Sequence, residues 1–133
     1  MDPEAKRLND LSEQIIGAAI DVHRVLGPGL LESPYEECLC HELVKRRFKI
    51  ERQKPLPLVY GDVKLACAYR MDIVVEASVI IEVKAVEKLD RVHAAQIISY
   101  LKISGLKLGL VLNFNVRNLS RDGIMRKVND FPE

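Results

Sequence analysis

Apolar residues set the period of the chain from its first turn. Leu8, Leu11, Ile15, Ala19, Val22 and Leu26 recur at intervals of three and four, the pattern of an amphipathic helix with one buried stripe. Asp2 stands where an N-cap is needed and Pro3 where the first helical residue tolerates a missing N–H. Gly27-Pro28-Gly29 ends the helix. A second helix is predicted from Leu30–Ser33 to about Arg47, with Leu31, Tyr35, Leu39 and Leu43 as its buried stripe. Ser33-Pro34-Tyr35-Glu36 fits a capping box, which gives Glu36 a structural task. Glu32 has no such explanation and is free to point into a neighbouring cleft.

The pattern then changes from helical to alternating or continuous. A strand is predicted around Phe48–Gln53, followed by an irregular link, Lys54-Pro55-Leu56-Pro57. Pro57 confines Leu58-Val59-Tyr60 to an edge or a strand start. Gly61-Asp62 is a turn, and Val63–Cys67 is the returning strand. Two runs rich in Val and Ile, 72–75 and 79–84, flank a polar break at Glu76-Ala77-Ser78 and read as a hairpin. Asp90 caps a third helix that ends at Gly105, with Val92, Ala95, Ile97 or Ile98, and Leu101 towards the sheet. His93, Gln96 and Tyr100 share another face of that helix. Residues 106–114 form a buried strand, and a strand-helix-strand succession of this kind gives a right-handed parallel crossover. The tail, Asn118–Asn129, reads as a polar turn and short helix. The expected order is α-α-β-β-β-β-α-β-α in a single domain over residues 1–133.

Composition narrows the class without naming a chemistry. The 133 residues are 48% hydrophobic and 29% charged with a net charge of +1, as expected of a soluble globular domain. No apolar run approaches the roughly 20 residues of a membrane span, and the polar start Met-Asp-Pro-Glu is unlike a secretory signal. Three cysteines, Cys38, Cys40 and Cys67, are odd in number and lack metal-site spacing. They read as free thiols of a cytoplasmic protein. Positive charge is concentrated in Lys45, Arg46, Arg47, Lys49, Arg52 and Lys54, against the single acid Glu51. Such a cluster suits phosphate contacts, and equally a solvated helix end.

Three charges break the hairpin's apolar runs: Asp72, Glu82 and Lys84. A charge within an apolar strand is costly unless it is paired or bound to a metal. With a three-residue loop at 76–78, Val75 faces Val79 and Asp72 faces Glu82; with a two-residue loop the pairing slips by one and the same residues become near neighbours. Glu82 and Lys84 share a face roughly 7 Å apart. Two carboxylates and an ammonium then converge on one patch. Carboxylates suit Mg²⁺, which keeps several waters, and a lysine beside them can hold a water or a phosphate charge. The alternative is structural, with Lys84 paired to Asp72 or Glu82 at a sheet edge.

The order of elements, with acids on the central hairpin, resembles the restriction-endonuclease-like fold of the PD-(D/E)XK nuclease superfamily. Asp72, Glu82 and Lys84 fall on its D…E-x-K positions, although Met71 stands where proline is usual. Gln96-x-x-x-Tyr100 is similar to the Q-x-x-x-Y motif of its RecB and lambda-exonuclease branch. Gly29-Leu-Leu-Glu32-Ser-Pro-Tyr35 resembles the family named GxxExxY, and the likeness extends over nearly the whole chain. The resemblance implies an α/β fold with an αβββαβ core, a mixed central sheet flanked by helices, with two N-terminal helices. It implies an exonuclease-like site for hydrolysis of nucleic acid, DNA rather than RNA, with Mg²⁺ or Mn²⁺ as cofactor. Asp72, Glu82 and the Val83 carbonyl are then the metal ligands, and Lys84 the group that orients water. Gln96 and Tyr100 position the phosphate, and Glu32 is a further acid. Arg46, Arg47, Lys49, Arg52, Lys54 and His93 are the expected nucleic-acid contacts. Small nucleases of this kind often pair as homodimers, but no stretch of the sequence names an interface. The competing expectation is a non-catalytic nucleic-acid-binding or protein-interaction module carrying a vestigial site.

Overall fold

The computed structural model describes residues 1–133. The elements are α1 (Pro3–Leu26), α2 (Glu32–Lys45), β1 (Ile50–Tyr60), β2 (Val63–Val75), β3 (Val79–Lys84), α3 (Arg91–Ser104), β4 (Leu108–Asn113), α4 (Leu119–Asp122) and β5 (Ile124–Val128). The strands form one mixed sheet in the order β1-β2-β3-β4-β5. Only β3 and β4 are parallel, as the crossover through α3 requires. The run α2-β1-β2-β3-α3-β4 is the expected αβββαβ core, with α1 before it and β5 after it.

Alternation along the strands separates two cores. Ile73, Val75, Val79, Ile81, Val83, Leu110 and Leu112 pack with α1 and α2. Val74, Ile80 and Val111 face the other way and pack with Ile97, Tyr100 and Leu101 of α3. The sheet is therefore buried on both faces at its centre, where the site lies. Tyr35 closes the link between α1 and α2. Its hydroxyl donates to the Gly27 carbonyl at 2.5 Å and accepts from the Leu30 N–H at 3.1 Å, while its ring stacks on Phe114. The glycine and tyrosine ends of the 29–35 motif thus serve the fold. Gly29 has φ 103 and donates its N–H to Asn115 Oδ1.

Four local expectations need correction. The stretch 50–60 is one strand rather than two pieces joined by a proline link. Both prolines are tolerated because β1 is the sheet edge, and the register slips between Leu56 and Leu58. The tail holds a strand besides its short helix: β5 pairs antiparallel with β4 from Leu112↔Ile124 to Leu108↔Val128. The third correction is at α2, which begins at Glu32 with Leu31 as N-cap and no side-chain cap bond. Ser33 and Pro34 lie inside the first turn, so the capping box does not form and Glu36 is released for another task. Finally, α3 buries Ile97, Tyr100 and Leu101, whereas Val92 and Ala95 are exposed.

The seat of α3 depends on Gly109 in β4. A methyl group there meets Ile97 Cγ1 at 2.6 Å and Cδ1 at 3.0 Å, within a fully buried contact. Gly109→Ala is expected to lower stability by about 1–3 kcal/mol through overpacking, measured by urea unfolding. Because α3 must lift, it is also expected to weaken the site that this helix overlooks.

Candidate active site

β2 and β3 pair through Val75↔Val79, Val74↔Ile80 and Ile73↔Ile81, joined by the three-residue loop 76–78. Glu76 and Ala77 turn the chain with φ 52 and 50. Beyond Ile73 and Ile81 the backbone ladder stops, and two carboxylates replace it. The Asp72 N–H donates to Glu82 Oε2 at 2.8 Å, and the Val83 N–H donates to Asp72 Oδ2 at 2.8 Å. Each acid is held by the other's strand, a charge-assisted arrangement that keeps the strands apart and both side chains in the gap. The register expected of a three-residue loop, with Asp72 across from Glu82, is the register observed.

The electrostatics of this gap are unbalanced. Glu82 is only 3% exposed. Burial, and then the neighbouring Asp72 charge, push its pKa up to about 8. Burial likewise raises Asp72, although the Val83 N–H opposes the shift. Lys84 lowers both acids from a distance but enters none of the ion pairs of the chain. The tight lysine-carboxylate pair of the structural alternative is not formed. Across the gap, Gln96 Nε2 donates to Tyr100 Oη at 3.2 Å. Burial and the Glu82 charge raise the Tyr100 pKa, which places the phenol in the field of the acids. Tyr69 tilts against the Tyr100 ring at 5.5 Å.

Of the two acids at the start of α2, the one whose charge reaches Asp72 and Glu82 is Glu36. Glu32 is exposed at the first turn of α2 and makes no hydrogen bond or ion pair. Glu36 lies one turn further on and is buried at 8% exposure. Its charge is felt by both Asp72 and Glu82. Arg52 Nε donates to Glu36 Oε2 at 2.6 Å, and Gln53 Nε2 bonds both Glu36 and Asp72. Gln53 was missed, and Glu36 was read first as a helix cap and only second as a sharer of the acid's role. Glu36 carried a false capping signal, and Gln53 shows no local signal because its partners lie 17 and 19 residues away.

The basic cluster is largely consumed. Arg46 pairs with Asp21, Arg52 with Glu36 and Glu37, and Lys54 with Glu51. The two carboxylates on Arg52 raise its pKa. Arg47 and Lys49 remain exposed and outside any ion pair. His93 is also committed: its Nδ1 accepts from the Asp90 N–H at 3.0 Å, completing a capping box for α3.

A buried and a half-buried carboxylate short of positive charge are a fitting donor set for a hard divalent cation. Asp72, Glu82 and the Val83 carbonyl offer oxygen atoms only. No group of three or more His, Cys, Asp or Glu side chains is clustered as a metal cage. A hollow of about 260 Å³ lies elsewhere, between Lys54–Pro57 of β1 and the end of α3 at Ile103 and Ser104 with Leu106 after it, and holds none of these acids.

The chain matches the family model of the PD-(D/E)XK nuclease superfamily over residues 9–127, nearly its whole length, and it belongs to that superfamily. No curated protein and no solved structure gives a significant match. Membership agrees with the mixed α/β architecture, and the nucleases of this superfamily generally use divalent metals. No helix is long and apolar enough to cross a membrane.

Proposed function

We propose that this chain is a Mg²⁺- or Mn²⁺-dependent nuclease that hydrolyses phosphodiester bonds in DNA, and that it falls in the GxxExxY group of the superfamily. The observation that carries this reading is the pair of under-neutralised carboxylates, Glu82 buried and Asp72 half-buried, across the parted β2 and β3, with Lys84 nearby and unpaired. When bound, the metal supplies Lewis-acid activation of the phosphoryl oxygen and a water of lowered pKa. Asp72 and Glu82 hold it, with the Val83 carbonyl as a third oxygen. Lys84, two residues along the strand from Glu82, carries a positive charge to orient the attacking water and to offset negative charge as it develops. The Gln96–Tyr100 pair presents hydrogen-bonding groups from α3 to fix the scissile phosphate. Glu36, rather than Glu32, is the acid of α2 that adds negative charge to this gap, while Glu32 stands at its approach. Arg47 and Lys49 are the cations of the basic cluster left to meet a phosphate backbone. A mode of recognition based on the backbone agrees with the absence of a base-reading motif.

The test is a divalent-metal cleavage assay on single-stranded, double-stranded and branched DNA, with RNA in parallel. Metal-dependent cleavage of DNA, lost on chelation, is expected. Nucleic-acid binding without cleavage under every metal and substrate favours the non-catalytic module instead. Gln96→Ala is expected to lower kcat about 10-fold or more while Mn²⁺ affinity is retained, since loss of a positioning bond slows turnover without touching the metal. Single-turnover cleavage and Mn²⁺ titration read the two effects separately.

A further inference from the structure

We infer that Gln53 is a positioning residue of this site, fixing Asp72 for the cation without neutralising it; the inference rests on the nuclease reading above. β1 pairs with β2 through Arg52↔Ile73 and Lys54↔Met71, which leaves Gln53 across from Asp72. Gln53 has φ 52, a left-handed conformation within a strand, where a side chain other than glycine is disfavoured. The Arg70 guanidinium holds this turn of backbone by donating to the Gln53 carbonyl at 3.2 Å. The amide Nε2 lies 3.0 and 3.2 Å from the two Glu36 oxygens and 3.2 Å from Asp72 Oδ1. Both partners are carboxylates, so the amide nitrogen rather than its oxygen faces them.

This contact completes the orientation of Asp72. Its Oδ2 is taken by the Val83 N–H, and Gln53 takes Oδ1. Both oxygens are thereby fixed, and each retains a second lone pair for a cation. The chemistry of the donor matters. Arg52, one residue earlier, pairs with Glu36 and Glu37, but the residue that reaches Asp72 is an uncharged amide. A cation at position 53 would fill the charge deficit that a metal needs. A neutral donor holds the same geometry and leaves the charge in place. Partners of this kind around metal ligands typically govern affinity by about 10–100-fold.

Gln53→Gly and Gln53→Asn test the inference. Glycine removes the amide and relieves the left-handed backbone. Asparagine tolerates that backbone but is one methylene too short to span both acids. Mn²⁺ affinity is measured by EPR titration of the protein without nucleic acid, alongside thermal unfolding without metal. The expected result is binding weakened about 10-fold or more in both variants, with no loss of metal-free stability in Gln53→Gly. Cleavage by Gln53→Gly is expected to recover at high Mn²⁺, whereas that of Lys84→Ala is not. Wild-type Mn²⁺ affinity in Gln53→Gly overturns the positioning role alone. A large fall in its metal-free stability also overturns it, by making Gln53 a residue of the fold. If the wild-type protein itself binds no Mn²⁺, the nuclease reading fails first, and this inference with it.

Discussion

Glu82→Ala and Lys84→Ala are each expected to reduce Mg²⁺- or Mn²⁺-dependent DNA cleavage by about 10³-fold or more, for two different reasons. Glu82 is both a ligand in the proposed site and the acceptor for the Asp72 N–H. Its removal takes away half of the carboxylate pair and loosens the other half. Metal binding and turnover are lost together. Lys84 anchors no other group through an ion pair, so its truncation leaves the acids where they are. Deleting one charge-stabilising donor costs about 10²–10³ in rate, and loss of water orientation adds to that. Lys84→Ala is therefore expected to keep Mn²⁺ affinity within a few-fold while turnover collapses. Glu82→Gln serves as a control for folding, since its amide oxygen can still accept from Asp72. Cleavage of labelled oligonucleotides, Mn²⁺ titration and circular dichroism melts separate chemistry, binding and fold. Variants that cut DNA as fast as wild type would remove these residues from the mechanism.

The parts of the site that could be read from sequence are those whose signals are local. Asp72, Glu82 and Lys84 stood out because charges inside Val- and Ile-rich runs need compensation, and a break of two or three residues left only neighbouring registers for them to face each other. Helical spacing put Gln96 and Tyr100 on one face, but only the family resemblance turned that face towards the acids. What could not be read depends on contacts over long separations or on competition between local signals. Ser33, Pro34 and Glu36 match a capping box in composition, yet the helix starts earlier, at Glu32. Glu36 then turns to Arg52 and Gln53, 16 and 17 residues away. The basic run from Lys45 to Lys54 looked like a phosphate-binding surface because its partners Asp21, Glu36 and Glu37 lie on other elements. β1 was divided at its prolines because a missing N–H breaks an interior strand. Only the strand order shows that those prolines sit on an edge. β5 was missed because a five-residue strand with two cations, Arg126 and Lys127, carries little pattern without β4 beside it.

The charge deficit that suits the gap to the proposed cation also sets the pH dependence of the metal-free protein. Glu82 titrates near 8 in the fold, against an ordinary value of 4.5. A group whose pKa is raised by folding contributes stability that is fully present below its unfolded pKa and is lost as pH rises through the folded one. Metal-free stability is therefore expected to fall steadily from about pH 4.5 to about pH 8. Asp72 shifts in the same direction and adds to the slope. A shift of this size corresponds to the order of 3 kcal/mol at neutral pH. Glu82→Gln removes the titration while retaining shape and the acceptor for Asp72. It is expected to melt on the order of 10 °C above wild type at pH 8 in the presence of a chelator, with the difference closing towards pH 4. A divalent cation favours the ionised acids, so Mn²⁺ or Mg²⁺ should raise the wild-type midpoint at pH 8 and leave Glu82→Gln nearly unmoved. The crossing of the two proteins, variant more stable without metal and wild type gaining with it, is the signature of carboxylates kept costly for a cation. Equal pH profiles, or a wild-type midpoint indifferent to both metals at pH 8, would show that the acids are compensated within the fold and would leave the gap without a role in catalysis.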